Sequence, residues 1–133
     1  MYEIFILQSV IDTAIEKAYK KHAEKIERMT LKVGQLKFLD RENLKDTFKR
    51  LTEKTIAEDA ELKIEIIPAR FKCMDCDMEW ELKNKKITQK EINLIRLSTE
   101  YIKKIIKCPK CKSNRYKILK GNEIYIKDIE VHA

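Results

Sequence analysis

Cys73-Met74-Asp75-Cys76 and Cys108-Pro109-Lys110-Cys111 hold every cysteine of a 133-residue chain. Each Cys-x-x-Cys turn aims two thiolates at one point, and two such turns complete the closed tetrahedron that Zn²⁺ takes in structural sites. Paired spacing of this kind without a secretory leader favours metal over disulfides. Four thiolates leave no open position for a catalytic water. The expected chemistry is therefore structural: zinc on Cys73, Cys76, Cys108 and Cys111, holding together a segment too small to build its own core. Sulfur geometry alone also admits iron. A redox pair is disfavoured, because the two pairs match and neither sits at a strand-to-helix junction of a βαβ unit. Zinc knuckles often place Gly just after the second Cys, where the backbone turns left-handed. Here Asp77 and Lys112 occupy those positions.

Upstream of the first pair, Ile4, Leu7, Ile11, Ala14 and Ala18 recur at helical spacing, with Ile15 and Tyr19 widening the stripe. This predicts an amphipathic helix over residues 4–22. Met29-Thr30-Leu31-Lys32-Val33 alternates and ends at Gly34, predicting a half-buried strand. Asp40 is a natural N-cap for a second helix with the stripe Leu44, Thr47, Phe48 and Leu51. Glu61-Leu62-Lys63-Ile64-Glu65-Ile66 alternates strictly and is closed by Pro68. Between the cysteine pairs, Thr88-Gln89-Lys90-Glu91 has capping-box form and opens a short helix. After them, Lys120-Gly121-Asn122-Glu123 is a turn between two β-rich runs, residues 116–119 and 123–129, the last of which is free to return to the first sheet. The expected fold is α+β: two helices on a small mixed sheet, plus a four-cysteine zinc-ribbon domain. The expected division assigns residues 1–69 with 120–133 to the helix-sheet domain. Residues 70–119 form the zinc-binding domain, with its helical insert.

With 44% hydrophobic and 38% charged residues and only two Gly and two Pro, the chain is neither collagen-like nor low-complexity. No apolar run approaches the ~18 residues of a membrane span, and Ile4-Phe5-Ile6-Leu7 lacks the charged lead-in of a signal peptide. The expectation is a soluble, cytoplasmic protein without membrane partners. Net charge is +7, and the segment from 101 to 120 has eight basic residues and no acidic one. Such a block suits either a solvated face or an anionic partner. Two glycines cannot build a phosphate-binding loop, and neither histidine lies near a serine or cysteine partner in sequence, so no enzymatic constellation is visible.

The order of these motifs resembles the HypA/HybF family of hydrogenase nickel-incorporation proteins. The resemblance runs nearly end to end. It rests on Met1-Tyr2-Glu3 leading into a helix, on Val33-Gly34-Gln35-Leu36, and on Thr55-Ile56-Ala57-Glu58-Asp59-Ala60-Glu61-Leu62. The two cysteine pairs and the late Gly of Leu119-Lys120-Gly121 complete it. It implies a metallochaperone that delivers nickel to a maturing [NiFe]-hydrogenase. The implied partners are a nickel-handling GTPase of the HypB type and the precursor of the hydrogenase large subunit. The family's nickel site uses the terminal amine, backbone amides and a His at position 2, with Glu beside it. This chain keeps Met1 and Glu3 but has Tyr2, whose phenol, with a pKa of about 10, is a poor nickel ligand at neutral pH. His22 lies ~30 Å along the first helix at ~1.5 Å per residue and reads as an exposed residue of its last turn. His132 falls in a tail expected to be mobile. Gln35 stands where the family usually has Glu, and Lys54 and Asp59 where it usually has Gly. Two other functions fit the same residues. One is a zinc ribbon binding nucleic acid through residues 103–120, with Tyr101 and Tyr116 stacking on bases. The other is a family member that lost nickel binding and only docks to partners.

Overall fold

The computed structural model describes residues 2–82 and 87–133, apart from the side chain of Tyr2. Its chain clusters into two compact units. The first comprises Met1–Lys32, Leu39–Glu65 and Ile124–Ala133; the second comprises Val33–Phe38 and Ile66–Glu123.

In the first unit, α1 (Tyr2–Lys20) buries Leu7, Ile11, Ala14 and Ala18 in one stripe and lies against α2 (Arg41–Leu51) and strand β6 (Ile124–His132). The stripe is narrower than its sequence suggests: Tyr19 is 60% exposed and Ile4 lies at its margin. Asp40 caps α2 by accepting from the N–H groups of Glu42 and Asn43 at 2.8 and 3.3 Å, a contribution of ~1 kcal/mol. Leu44, Thr47 and Phe48 form the buried face of α2. The predicted first strand begins earlier than the alternation of 29–33 implied. Strand β1 runs Lys25–Gly34 because Ile26 is also fully buried. Together with β2 (Glu61–Ile67) it forms a three-stranded sheet in the order β2-β1-β6.

His22 is not in the last turn of α1. It sits beyond the helix end in the left-handed region, φ 57. Its N–H reaches the carbonyl of Tyr19, and the next N–H, of Ala23, reaches that of Ala18 at 3.0 Å. This paired pattern closes the helix with a histidine where glycine is usual.

In the second unit, β3 (Arg70–Cys73) is the centre of an antiparallel sheet in the order β4-β3-β5, with β4 at Glu79–Glu81 and β5 at Tyr116–Lys120. Phe71, Trp80 and Tyr116, one from each strand, stack edge-on or tilted at 5.1–5.3 Å between ring centroids. Around them pack Leu36, Ile95 from α3 (Gln89–Leu97), Ile102 from the short helical segment Thr99–Lys104, and Ile106 just beyond it. The capping box of α3 is complete: Thr88 and Glu91 exchange side-chain and backbone bonds. The runs on either side of Lys120-Gly121-Asn122-Glu123 enter different sheets, β5 the second and β6 the first.

Gly34, Ala69 and Gly121 meet within this unit. The N–H of Gly34 donates to the carbonyl of Glu123 at 2.7 Å and that of Leu36 to Gly121 at 2.8 Å. The Gln35 side chain accepts from the N–H of Ala69 at 2.8 Å. These bonds place Val33–Phe38 and residues 120–123 in the second unit.

Candidate metal centre

The two cysteine pairs have the same backbone scaffold. In the first, the N–H of Asp77 returns to the carbonyl of Cys73 at 3.1 Å, and the N–H of Cys73 donates to Met78 at 2.8 Å. In the second, the N–H of Lys112 returns to Cys108 at 2.9 Å, and that of Cys108 donates to Ser113 at 2.9 Å. Every offset from the first cysteine is equal. Each loop closes on a left-handed residue, Asp77 at φ 61 and Lys112 at φ 64. Glycine's usual position therefore keeps glycine's geometry, and a side-chain-bearing residue carries the strain.

The loops bring the four sulfurs within 4.8 Å of one another. Cys73 and Cys111 Sγ are 3.5 Å apart, and Cys76 and Cys108 Sγ 3.6 Å. A tetrahedron with Zn–S bonds of ~2.3 Å has edges of about 3.8 Å, so the donor set fits zinc in number, chemistry and size. Cys73 and Cys108 are buried, Cys76 half-buried and Cys111 exposed. Burial raises the Cys108 thiol, but the N–H groups of Cys111 and Lys110 and the thiols of Cys76 and Cys111 outweigh it and bring it down to about 6. The N–H of Ser113 favours the Cys111 thiolate; although the residue is exposed, its sulfur turns into the cluster, and local desolvation and the three other thiols push it up to about 12. Four thiolates at this spacing repel one another, and a divalent cation among them is what lets all four ionise together.

A bridge that the spacing of the cysteines does not reveal joins the loops. Asp75 accepts from Ser113 Oγ and pairs with Arg115 Nη1 at 3.1 Å. The N–H of Met74 bonds the carbonyl of Arg115 at 2.7 Å. Asp75 and Ser113 are ordinary loop residues in sequence, and only their meeting across 38 positions gives them this role.

The expected nickel ligands fall mostly outside the described residues: Met1 is not described, and of Tyr2 only the helical backbone is. Glu3 lies half-buried in the first turn of α1. His132 is in strand β6, not in a mobile tail. Its carbonyl accepts from the N–H of Glu24 at 2.8 Å, and its Nδ1 lies 3.7 Å from Glu27. That places it past the far end of α1, a 19-residue helix and so about 28 Å long. Neither histidine is within reach of Tyr2.

The stacking residues expected of a nucleic-acid ribbon are committed elsewhere. Tyr116 is 2% exposed, with its hydroxyl donating to the carbonyls of Ile106 (2.9 Å) and Ile102 (3.3 Å). Tyr101 is half-buried, with Lys104 Nζ 5.3 Å from its ring centre. No described helix is long and apolar enough to cross a membrane.

A family model described as "Hydrogenase/urease nickel incorporation, metallochaperone, hypA" matches residues 1–131. The hydrogenase maturation factor HypA of Ignicoccus hospitalis is 32% identical, the match covering 98% of this chain and 96% of that protein. That of Thermococcus sibiricus is 33% identical, covering 100% and 98%. The solution structure of the Ni metallochaperone HypA from Helicobacter pylori superposes with a TM-score of 0.63 at 25% identity, covering 100% of this chain and 99% of that one.

Proposed function

This chain belongs to the HypA family of nickel-incorporation metallochaperones, and from that membership we propose that it handles nickel as cargo during hydrogenase maturation, on a body stapled by zinc. The single observation that carries this reading is the family match over residues 1–131, which spans both the amino-terminal helix and the thiolate cluster. Cys73, Cys76, Cys108 and Cys111 would hold the zinc, which supplies cross-linking and no reaction step. The expected partners are a nickel-handling GTPase of the HypB type and the hydrogenase large-subunit precursor, met in the cytoplasm. The exposed Phe5 and Ile4, beside the helix start, are the surface on which a nickel-passing partner would dock. A role as accessory factor, with no turnover of its own, follows the same membership.

Nickel would bind through the Met1 amine and the amides of Tyr2 and Glu3. α1 begins at Tyr2, and the first N–H groups of a helix have no acceptor within it. Metal bound there displaces no helical hydrogen bond. Position 2 lacks the imidazole that anchors such a set, and neither histidine replaces it. We therefore expect Ni²⁺ to bind at least ~100-fold more weakly than to a Tyr2→His variant, since changes at metal ligands and their supports cost 10–100-fold or more. Zinc content should not change. The test is nickel titration, with zinc analysis, of both proteins carrying a free Met1 amine. Equal tight binding would overturn this account of position 2. Nickel-free protein that still captures the GTPase would favour the docking-only reading, which the absence of an imidazole supports.

A further inference from the structure

The outward face of the second sheet carries an arrangement of charge that the metal centre does not use. Side chains alternating with the buried Phe71 and Tyr116 point away from the core. They include Arg70 and Lys72 on β3, Glu79 and Glu81 on β4, and Lys117 on β5. In the strand register Lys72 stands between Glu79 and Lys117, and Arg70 between Glu81 and Lys120. Both glutamates are taken by Arg70, at 3.3 and 3.6 Å. Among the described residues, Lys72, Lys117 and Lys120 then have no ion-pair partner, and two of them lie directly opposite each other.

Like charges at opposed positions destabilise a sheet. Lysines on an edge strand have an ordinary explanation, since they block edge-to-edge aggregation. That explains Lys117 and Lys120 on β5. It does not explain Lys72, which is on the central strand. β5 is also an edge of its sheet, and its register with β3 breaks at the exposed Leu119, which lies between the paired Ile118 and Lys120.

We infer that this face binds an extended, acidic segment of a partner protein, laid along the free edge of β5 with its carboxylates on Lys72, Lys117 and Lys120. Main-chain pairing along an open edge supplies affinity and the lysines supply sign. A nucleic-acid strand suits the face less well. The three aromatic rings that would stack on bases face inward, and the edge of β5 offers main-chain pairing that a phosphate backbone cannot use. This surface is independent of the nickel reading.

The test uses the full-length, zinc-loaded protein and a short synthetic peptide alternating Glu with Val and Thr, beside a mixed-sequence RNA. The peptide should bind, more weakly at higher salt, and should shift amide resonances of residues 116–120. The combined Lys72→Glu, Lys117→Glu and Lys120→Glu variant should lose roughly tenfold or more in affinity. A variant with the same charge change on exposed helix residues, Lys17→Glu, Lys45→Glu and Lys49→Glu, should lose far less. Equal losses in the two variants, shifts elsewhere than β5, no binding by the native chain, or tighter binding of the RNA would each overturn the inference. Zinc content and Trp80 emission report folding; if the Glu variant fails to hold zinc, the corresponding Gln variant is read in its place.

Discussion

Gly34 and Gly121 are the two glycines of the chain, and they touch. A Cβ on Gly34 would stand 2.2 Å from the carbonyl oxygen of Gly121 and 2.8 Å from the nitrogen of Asn122. These are backbone atoms and have nowhere to go. Gly121 itself lies at φ +104, with Ala69 Cα 2.4 Å from its hypothetical Cβ. Gly34→Ala should therefore cost on the order of 3 kcal/mol or more in a urea melt, far beyond an ordinary Gly→Ala change. The opposite holds at Lys112, at φ 64 with its side chain exposed. Lys112→Gly removes a left-handed penalty of about 1 kcal/mol, partly offset by the greater freedom of glycine in the unfolded chain. We expect the variant to hold zinc against a chelator at least as well as the native chain, and weaker retention would refute that account of the loop.

At the scale of elements, the first sheet places one carboxylate among three lysines. Glu65 on β2 accepts from Lys32 on β1 at 2.9 Å, with Lys63 and Lys127 at 3.5 and 3.4 Å. The Lys32 bond, opposed by desolvation and helped by Lys127, lowers its carboxyl from the usual 4.5 to about 2. A carboxyl depressed on folding adds stability above its unfolded value and loses it as pH falls through its folded value. The stability difference between the native chain and Glu65→Gln should thus be present at neutral pH and shrink between pH 4.5 and about 2. Solvent access keeps the effect modest. Urea midpoints at stepped pH measure it, and a difference that grows on acidification would contradict the pairing. The loop between α2 and β2 is built just as locally. Thr55 Oγ1 bonds the carbonyl of Thr52 at 2.7 Å and takes the N–H of Ala57 at 3.1 Å, while the N–H of Lys54 donates to Glu58. Lys54 and Asp59 are both left-handed, at φ 63 and 68, so these two departures from glycine keep glycine's backbone.

Across the whole molecule, metal dependence should divide the chain. The sulfur cluster and the Phe71, Trp80 and Tyr116 stack share strands β3 and β5, since Cys73 lies opposite Tyr116 in the register. Cys108→Ala, or removal of metal by a strong chelator, should loosen the second unit and shift the emission of Trp80, the only tryptophan. The helical signal of α1 and α2 should persist. Loss of that signal in step with the Trp80 change would show that the two units unfold as one.

Much of the molecule follows local rules and is therefore legible in the chain itself. Asp40 and Thr88 cap their helices because a side-chain oxygen next to free N–H groups needs nothing distant. The alternation of Glu61 to Ile66 makes a strand for the same reason, and the spacing of the cysteines alone told which four sulfurs would gather. Other features depend on segments far apart in sequence. Tyr19 continues a helical stripe yet faces solvent, because nothing packs over it. β5 and β6 flank one turn and join separate sheets. Tyr116 looks like an exposed stacking residue until Ile102 and Ile106 enclose it and accept its proton. Gln35, without evident purpose in the sequence, satisfies the N–H of Ala69, 34 residues away. Propensity and spacing act over a few residues and can be read in order. Burial and the pairing of backbone groups depend on what arrives from elsewhere in the chain, and only the folded structure decides that.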